Sequence, residues 1–169
     1  MIELYYNLLL EEEKEFLKDK CDNFIETHSP FFNGNVNRSY HKYKLDEKTD
    51  LLGLQVRFTE FMRNIIGEND IEFTGFVINR ADTTTNQNDH YHVDMSDYTI
   101  VTYLNDDFVG GDFIYSLDNV EHISNKVEKG LSIVMNKTVP HKISPVTNGV
   151  RFSFACFFNK VIKKNKSLI

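Results

Sequence analysis

Tryptophan is absent from this 169-residue chain, proline occurs three times and cysteine only twice. Cys21 and Cys156 lie far apart in sequence and build neither a disulfide framework nor a paired-cysteine metal motif, so they read as buried thiols. No run of about 18 apolar residues is present, and no cationic leader followed by an apolar stretch. A membrane span and a secretory signal are therefore not expected, and the expected location is cytoplasmic. Net positive charge is also lacking: 19 Lys and Arg stand against 25 Asp and Glu, a balance of −6, with an isoelectric point near 5.5. That excludes a protein that grips nucleic acid over a broad surface, while leaving room for a small basic cleft.

What the chain does have is globular. Charged residues make up 26% and aromatics 13%, with 14 Phe and 8 Tyr, a composition that can bury a core. The length suits one domain spanning 1–169. The first third reads as helical support, to about residue 67. From Glu11 to about Thr27 the apolar positions Leu17, Cys21, Phe24 and Ile25 share one face, and Ser29-Pro30 ends the helix. An irregular stretch follows from Phe31 to Leu45, with a turn at Asn33-Gly34. A second helix fits Asp50 to Ile66, with Asp50 as N-cap and Gly67 just past the C-terminus.

After Asp70 the period changes to two. Strands are expected over 71–80, 88–94, 97–104, 111–117, 120–128, 131–136, 139–144 and 149–159, punctuated by turn signals such as Gly110-Gly111 and Asn148-Gly149. Helices followed by short strands over about 70–160 point to a mostly β sandwich or barrel braced by helices. The lysine-rich stretch from Lys160 to Lys166 reads as a solvated tail.

The chemistry concentrates in the β half. In His92-Val93-Asp94 the outer two residues share one face of a strand, and His141 opens another strand. Two imidazoles and a carboxylate can take one face of an octahedral Fe(II) and leave the remaining positions open; the same set also suits Zn(II). His90 shares that face and is an alternative ligand, but reads better as a neighbour of the metal on the substrate side. Further along, Arg151 and Ser153 point the same way on one strand. An interior arginine among Phe152, Phe154 and Phe157 needs an anionic partner, and its planar fork fits a carboxylate. Tyr103 shares a face with Thr99 and Val101 and can join Arg151 at that carboxylate.

With these residues placed, the chain resembles the prolyl 4-hydroxylase-like branch of the Fe(II)/2-oxoglutarate-dependent dioxygenases. The matching pieces are His92-Val93-Asp94, Thr102-Tyr103-Leu104-Asn105, Gly110-Gly111-Asp112-Phe113, Pro140-His141 and Gly149-Val150-Arg151-Phe152-Ser153. The resemblance implies a double-stranded β-helix with iron held by His92, Asp94 and His141. It implies that Arg151 and Tyr103 bind the distal carboxylate of 2-oxoglutarate, in a pocket lined by Val101, Ile143, Ser153 and Phe157. It further implies an oxygenase, often sustained by ascorbate, that uses O2 to hydroxylate an aliphatic C–H, with proline in a peptide the first substrate and succinate and CO2 released. The segment 82–89 departs from the relatives, which often carry tyrosine and glycine there beside the substrate. A free amino acid, small metabolite or nucleobase is thus an alternative substrate. A non-catalytic or zinc-binding jelly roll is the alternative from another class.

Overall fold

The computed structural model describes residues 1–28, 38–42, 51–84, 90–124 and 127–161, with the backbone alone for 23–28 and 38–42. Along the chain run β1 (Ile2–Tyr6), α1 (Glu11–His28), β2 (Arg38–Lys42), α2 (Leu52–Ile66), β3 (Ile71–Asp82), β4 (Tyr98–Tyr103), β5 (Val109–Gly110), β6 (Phe113–Leu117), β7 (Val120–Ile123), β8 (Leu131–Asn136), β9 (His141–Ile143), β10 (Val146–Asn148) and β11 (Val150–Lys160). A six-stranded antiparallel sheet has the order β1-β8-β4-β11-β3-β2. Facing it are a three-stranded sheet, β7-β6-β9, and the pair β10-β5. The architecture is mostly β, a jelly roll with two helices on the outside of the large sheet.

Side-chain alternation separates the two faces of the large sheet. On β11, Phe152, Phe154, Cys156 and Phe158 join one core with Ile100 of β4 and Phe76 and Ile78 of β3. Against them pack Leu17 and Cys21 of α1 and Leu54, Phe58 and Met62 of α2. Phe58 meets Phe154 edge to face at 5.8 Å between centroids. A buried phenylalanine of this kind contributes about 2–3 kcal/mol of apolar transfer. The odd residues Arg151, Ser153, Ala155 and Phe157 face the interior of the roll. There Tyr103, Ile133 and Met135 of the large sheet pack with Phe113 of the small one and Val139 of the loop before β9.

Several expectations need correction. The first third is not wholly helical: β1 adds to β8 as an edge strand and β2 adds to β3. β2 lies inside the stretch expected to be irregular. Over 88–94 no ladder forms among the described residues; His92 makes an isolated bridge with His141. The strand expected over 120–128 stops at Ile123. The 149–159 strand is shifted by one residue, to Val150–Lys160, and β10 precedes it. α2 begins at Leu52 with Leu51 at its N-cap and no side-chain cap bond. Its other end is as expected: Gly67 adopts φ 67° and its N–H reaches the Arg63 carbonyl at 3.0 Å. Asp50, Ser29-Pro30, the Asn33-Gly34 turn, the side chains of Phe24 and Ile25, and the tail beyond Val161 lie outside the described residues. No described helix is long and apolar enough to cross a membrane.

Candidate metal centre

Two backbone hydrogen bonds bring the histidines together. The His92 N–H donates to the His141 carbonyl at 3.0 Å, and the His141 N–H donates to the His92 carbonyl at 2.8 Å. The imidazoles consequently lie side by side, with centroids 4.3 Å apart. Asp94 enters two residues after His92. Its Oδ2 accepts a 2.6 Å hydrogen bond from Thr99 Oγ1 and lies 4.0 Å from His141 Nε2. One donor atom from each of His92, Asp94 and His141 lies within 4.8 Å of the other two. Adjacent donors on an octahedral ion at ~2.1 Å are about 3 Å apart, so side-chain adjustment would let all three reach one metal.

The surroundings suit these groups to metal coordination. His141 Nδ1 lies 3.1 Å from the Val139 carbonyl. A carbonyl only accepts, so the proton sits on Nδ1 and the Nε2 lone pair is left for a metal. Burial pushes the His141 imidazole below its ordinary value, against the opposing pull of the Val139 carbonyl and Asp94. It is therefore neutral and competent to coordinate near pH 7. Phe113 stacks on His141 at 5.2 Å and 17°, limiting ring rotation. His92 is exposed while His141 is buried, so the centre opens to solvent on the His92 side.

Beside it lies a cavity of about 380 Å³. Val101, Ile143, Ser153 and Phe157, the lining that the resemblance implies, border it together with Arg151, and His90, Asn79 and Arg80 line it as well. Arg151 is only 5% exposed. One terminal nitrogen donates to Ser153 Oγ at 3.0 Å, and Nε has no hydrogen-bond partner. No carboxylate forms an ion pair with it among the described residues. Burial lowers its pKa, yet a guanidinium stays charged at any working pH.

Tyr103 sits differently from its sequence expectation. It does not line the cavity; its ring lies 5.5 Å from the guanidinium carbon, and its hydroxyl donates to the Gly111 carbonyl at 3.3 Å. Burial pushes that phenol up to about 12, so it remains a donor. His90 is at the cavity, and its carbonyl lies 3.5 Å from His92 Nδ1. Sequence reasoning missed Thr99 as the partner of Asp94, Phe113 as the stacking partner of His141, and Asn79 and Arg80 at the cavity. Strand phase put Thr99 on the correct face, but its link to Asp94 depends on the reversal through 95–97.

None of the protein-family models and none of the curated proteins compared with the chain matches it. Solved structures do. A prolyl-4-hydroxylase from Pseudomonas putida superposes with a TM-score of 0.73 at 15% identity, covering 95% of this chain and 93% of that one. A viral collagen prolyl hydroxylase from Paramecium bursaria Chlorella virus-1, solved with 2-oxoglutarate, gives 0.70 at 16% identity, covering 95% and 96%. The fold is that of the 2-oxoglutarate/Fe(II) oxygenases. Within this oxygenase fold the likeness extends beyond prolyl hydroxylases. A non-haem α-ketoglutarate-dependent carbocyclase from nogalamycin biosynthesis reaches 0.73 at 11% identity, covering 93% of this chain and 78% of that one.

Proposed function

We propose that residues 1–169 form one catalytic domain, an Fe(II)- and 2-oxoglutarate-dependent dioxygenase that hydroxylates an aliphatic C–H of a peptidyl residue such as proline. The observation that carries the reading is Arg151, a buried cation without a carboxylate partner among the described residues, facing the cavity beside a two-His, one-Asp cluster. Holding such a charge away from water costs several kcal/mol unless an anion meets it. A dicarboxylate with one end at the metal and the other at Arg151 satisfies both groups.

In this reading His92, Asp94 and His141 hold Fe(II), and Thr99 orients Asp94. Arg151 and Ser153 bind the distal carboxylate, with the Tyr103 ring packed beside the guanidinium, while Val101, Ile143 and Phe157 enclose the carbon chain and exclude water. Bound there, iron supplies the activation of O2 coupled to decarboxylation of 2-oxoglutarate to succinate and CO2. The substrate enters past His90, Asn79 and Arg80. The protein works in the cytoplasm, where its two buried thiols, which form no disulfide, stay reduced.

A second reading keeps the chemistry and changes the substrate to a free amino acid, small metabolite or nucleobase. It is favoured by the carbocyclase, whose TM-score equals that of the bacterial prolyl hydroxylase. One experiment tests both. The chain is incubated with Fe(II), ascorbate, 2-oxoglutarate and a panel of proline peptides and small molecules, and products are searched for a gain of one oxygen. Succinate release that His92→Ala, Asp94→Ala and His141→Ala each abolish is expected. Absence of both succinate above background and 2-oxoglutarate binding overturns the reading, and turnover of small molecules alone removes the peptidyl version.

A further inference from the structure

The bridge that pairs the two histidines is short, and something outside the cavity braces it. His92 faces His141 in antiparallel register, so the next pair outward is Tyr91 opposite Lys142. These two project to the side opposite the imidazoles. The Lys142 ammonium lies 4.6 Å from the Tyr91 ring centroid. Glu121, on β7, closes the group: its Oε2 accepts from the Tyr91 hydroxyl at 2.6 Å and lies 3.2 Å from Lys142 Nζ. One carboxylate from a third strand thus ties together the residue before one histidine and the residue after the other.

We propose that Tyr91, Glu121 and Lys142 form an external clamp that sets the metal affinity of the centre. None of the three touches the metal position; they are positioning residues that act through the backbone of His92 and His141. The proposal rests on the reading of His92, Asp94 and His141 as ligands. The physical argument is one of populations. Among the described residues the histidines are joined by two mutual backbone bonds, and no longer ladder holds the His92 segment. On this proposal, in the metal-free chain that segment exchanges between a paired state, with its donors convergent, and a splayed one. Apparent affinity falls in proportion to the paired fraction. An isolated exposed ion pair contributes little. Here a charge-assisted hydrogen bond, an ion pair and a cation–π contact all span the same two segments, so each reinforces the paired state.

The test is Mn(II) binding by isothermal titration to the full chain without 2-oxoglutarate. Glu121→Gln is expected to weaken binding about three- to tenfold and to speed metal release. Tyr91→Phe, which keeps the ring beneath Lys142, weakens it less. Glu68→Gln, which removes a remote surface pair with Lys160, leaves it unchanged. Salt near ~1 M closes the gap between the native chain and Glu121→Gln. A merely structural surface pair would shift the metal-free melting midpoint and leave metal affinity alone. Mn(II) affinity in both clamp variants within about twofold of native overturns the proposal. Because His92→Ala is titrated alongside, failures separate. If the native chain binds Mn(II) no better than His92→Ala, the ligand reading itself falls; if only His92→Ala loses binding, the clamp alone falls.

Discussion

Arg151 brings a permanent positive charge into a space enclosed by β3, β4, β9 and β11, and its chemistry fixes what can share that space. Replacing it with alanine removes a charge-assisted fork of about 1.5–3 kcal/mol. Arg151→Ala is therefore expected to raise the 2-oxoglutarate concentration for half-maximal turnover roughly ten- to a hundredfold, since about 1.4 kcal/mol is tenfold. Arg151→Lys recovers part of that, because an ammonium offers a point charge in place of a planar fork. A dependence on 2-oxoglutarate that Arg151→Ala leaves unchanged refutes the assignment. His141 gives a second expectation at this scale. Its folded imidazole is held below the ordinary value of about 6.5 by burial. Above that value both folded and unfolded chains are neutral at this residue, and the group contributes nothing to pH dependence. As pH falls through it, the unfolded chain takes up a proton that the folded chain refuses, so the metal-free protein loses stability. Melting midpoints at about pH 7.5 and about pH 5.5 are expected to differ more for the native chain than for His141→Gln.

The turn before β6 shows what an element demands of its sequence. Gly111 has φ 67°, and a Cβ there would lie 2.9 Å from Arg151 Cδ, 3.1 Å from Phe108 and 3.2 Å from Val146. Gly111→Ala is expected to cost about 1–3 kcal/mol in backbone strain and to push the guanidinium off its position. A lower melting midpoint and a raised 2-oxoglutarate requirement would appear together. At Gly110 a Cβ would sit 2.1 Å from the Pro145 carbonyl oxygen, a backbone atom that cannot give way as a side chain can. The sequence marks this pair as a turn but does not reveal that the second glycine makes room for Arg151. Other elements divide by the same logic. β4 and β11 are legible because long alternation separates helix-side from cavity-side residues, and α2 because Leu54, Phe58 and Met62 recur at helical spacing. β1 and β2 are not, since each is a short edge strand fixed by pairing with β8 and β3. The 88–94 segment reads as a strand from its pattern, while among its described residues only His92 forms a β-bridge. His92, Asp94 and His141 were legible as a set of donors; their mutual distances, the Thr99 contact and the displaced Tyr103 depended on tertiary packing.

For the whole molecule, metal and co-substrate binding must appear as stability, because neither site survives unfolding. At a hundred times its dissociation constant a ligand adds about 2.7 kcal/mol. For a chain of this length that corresponds to about 5–10 °C in melting midpoint. Mn(II) and 2-oxoglutarate under anaerobic conditions are expected to raise the midpoint in two steps; Arg151→Ala should keep the first and shrink the second. A native chain whose midpoint neither ligand moves would argue against the site. The division of β11 between its faces has a consequence for change over time. Phe152, Phe154, Cys156 and Phe158 secure the helices, while Ala155 and Phe157 look into the cavity with Val77 and Asn79. Substitutions on the cavity face leave the helix-side packing in place, so substrate preference can drift, or be redesigned, on a scaffold whose stability is held elsewhere.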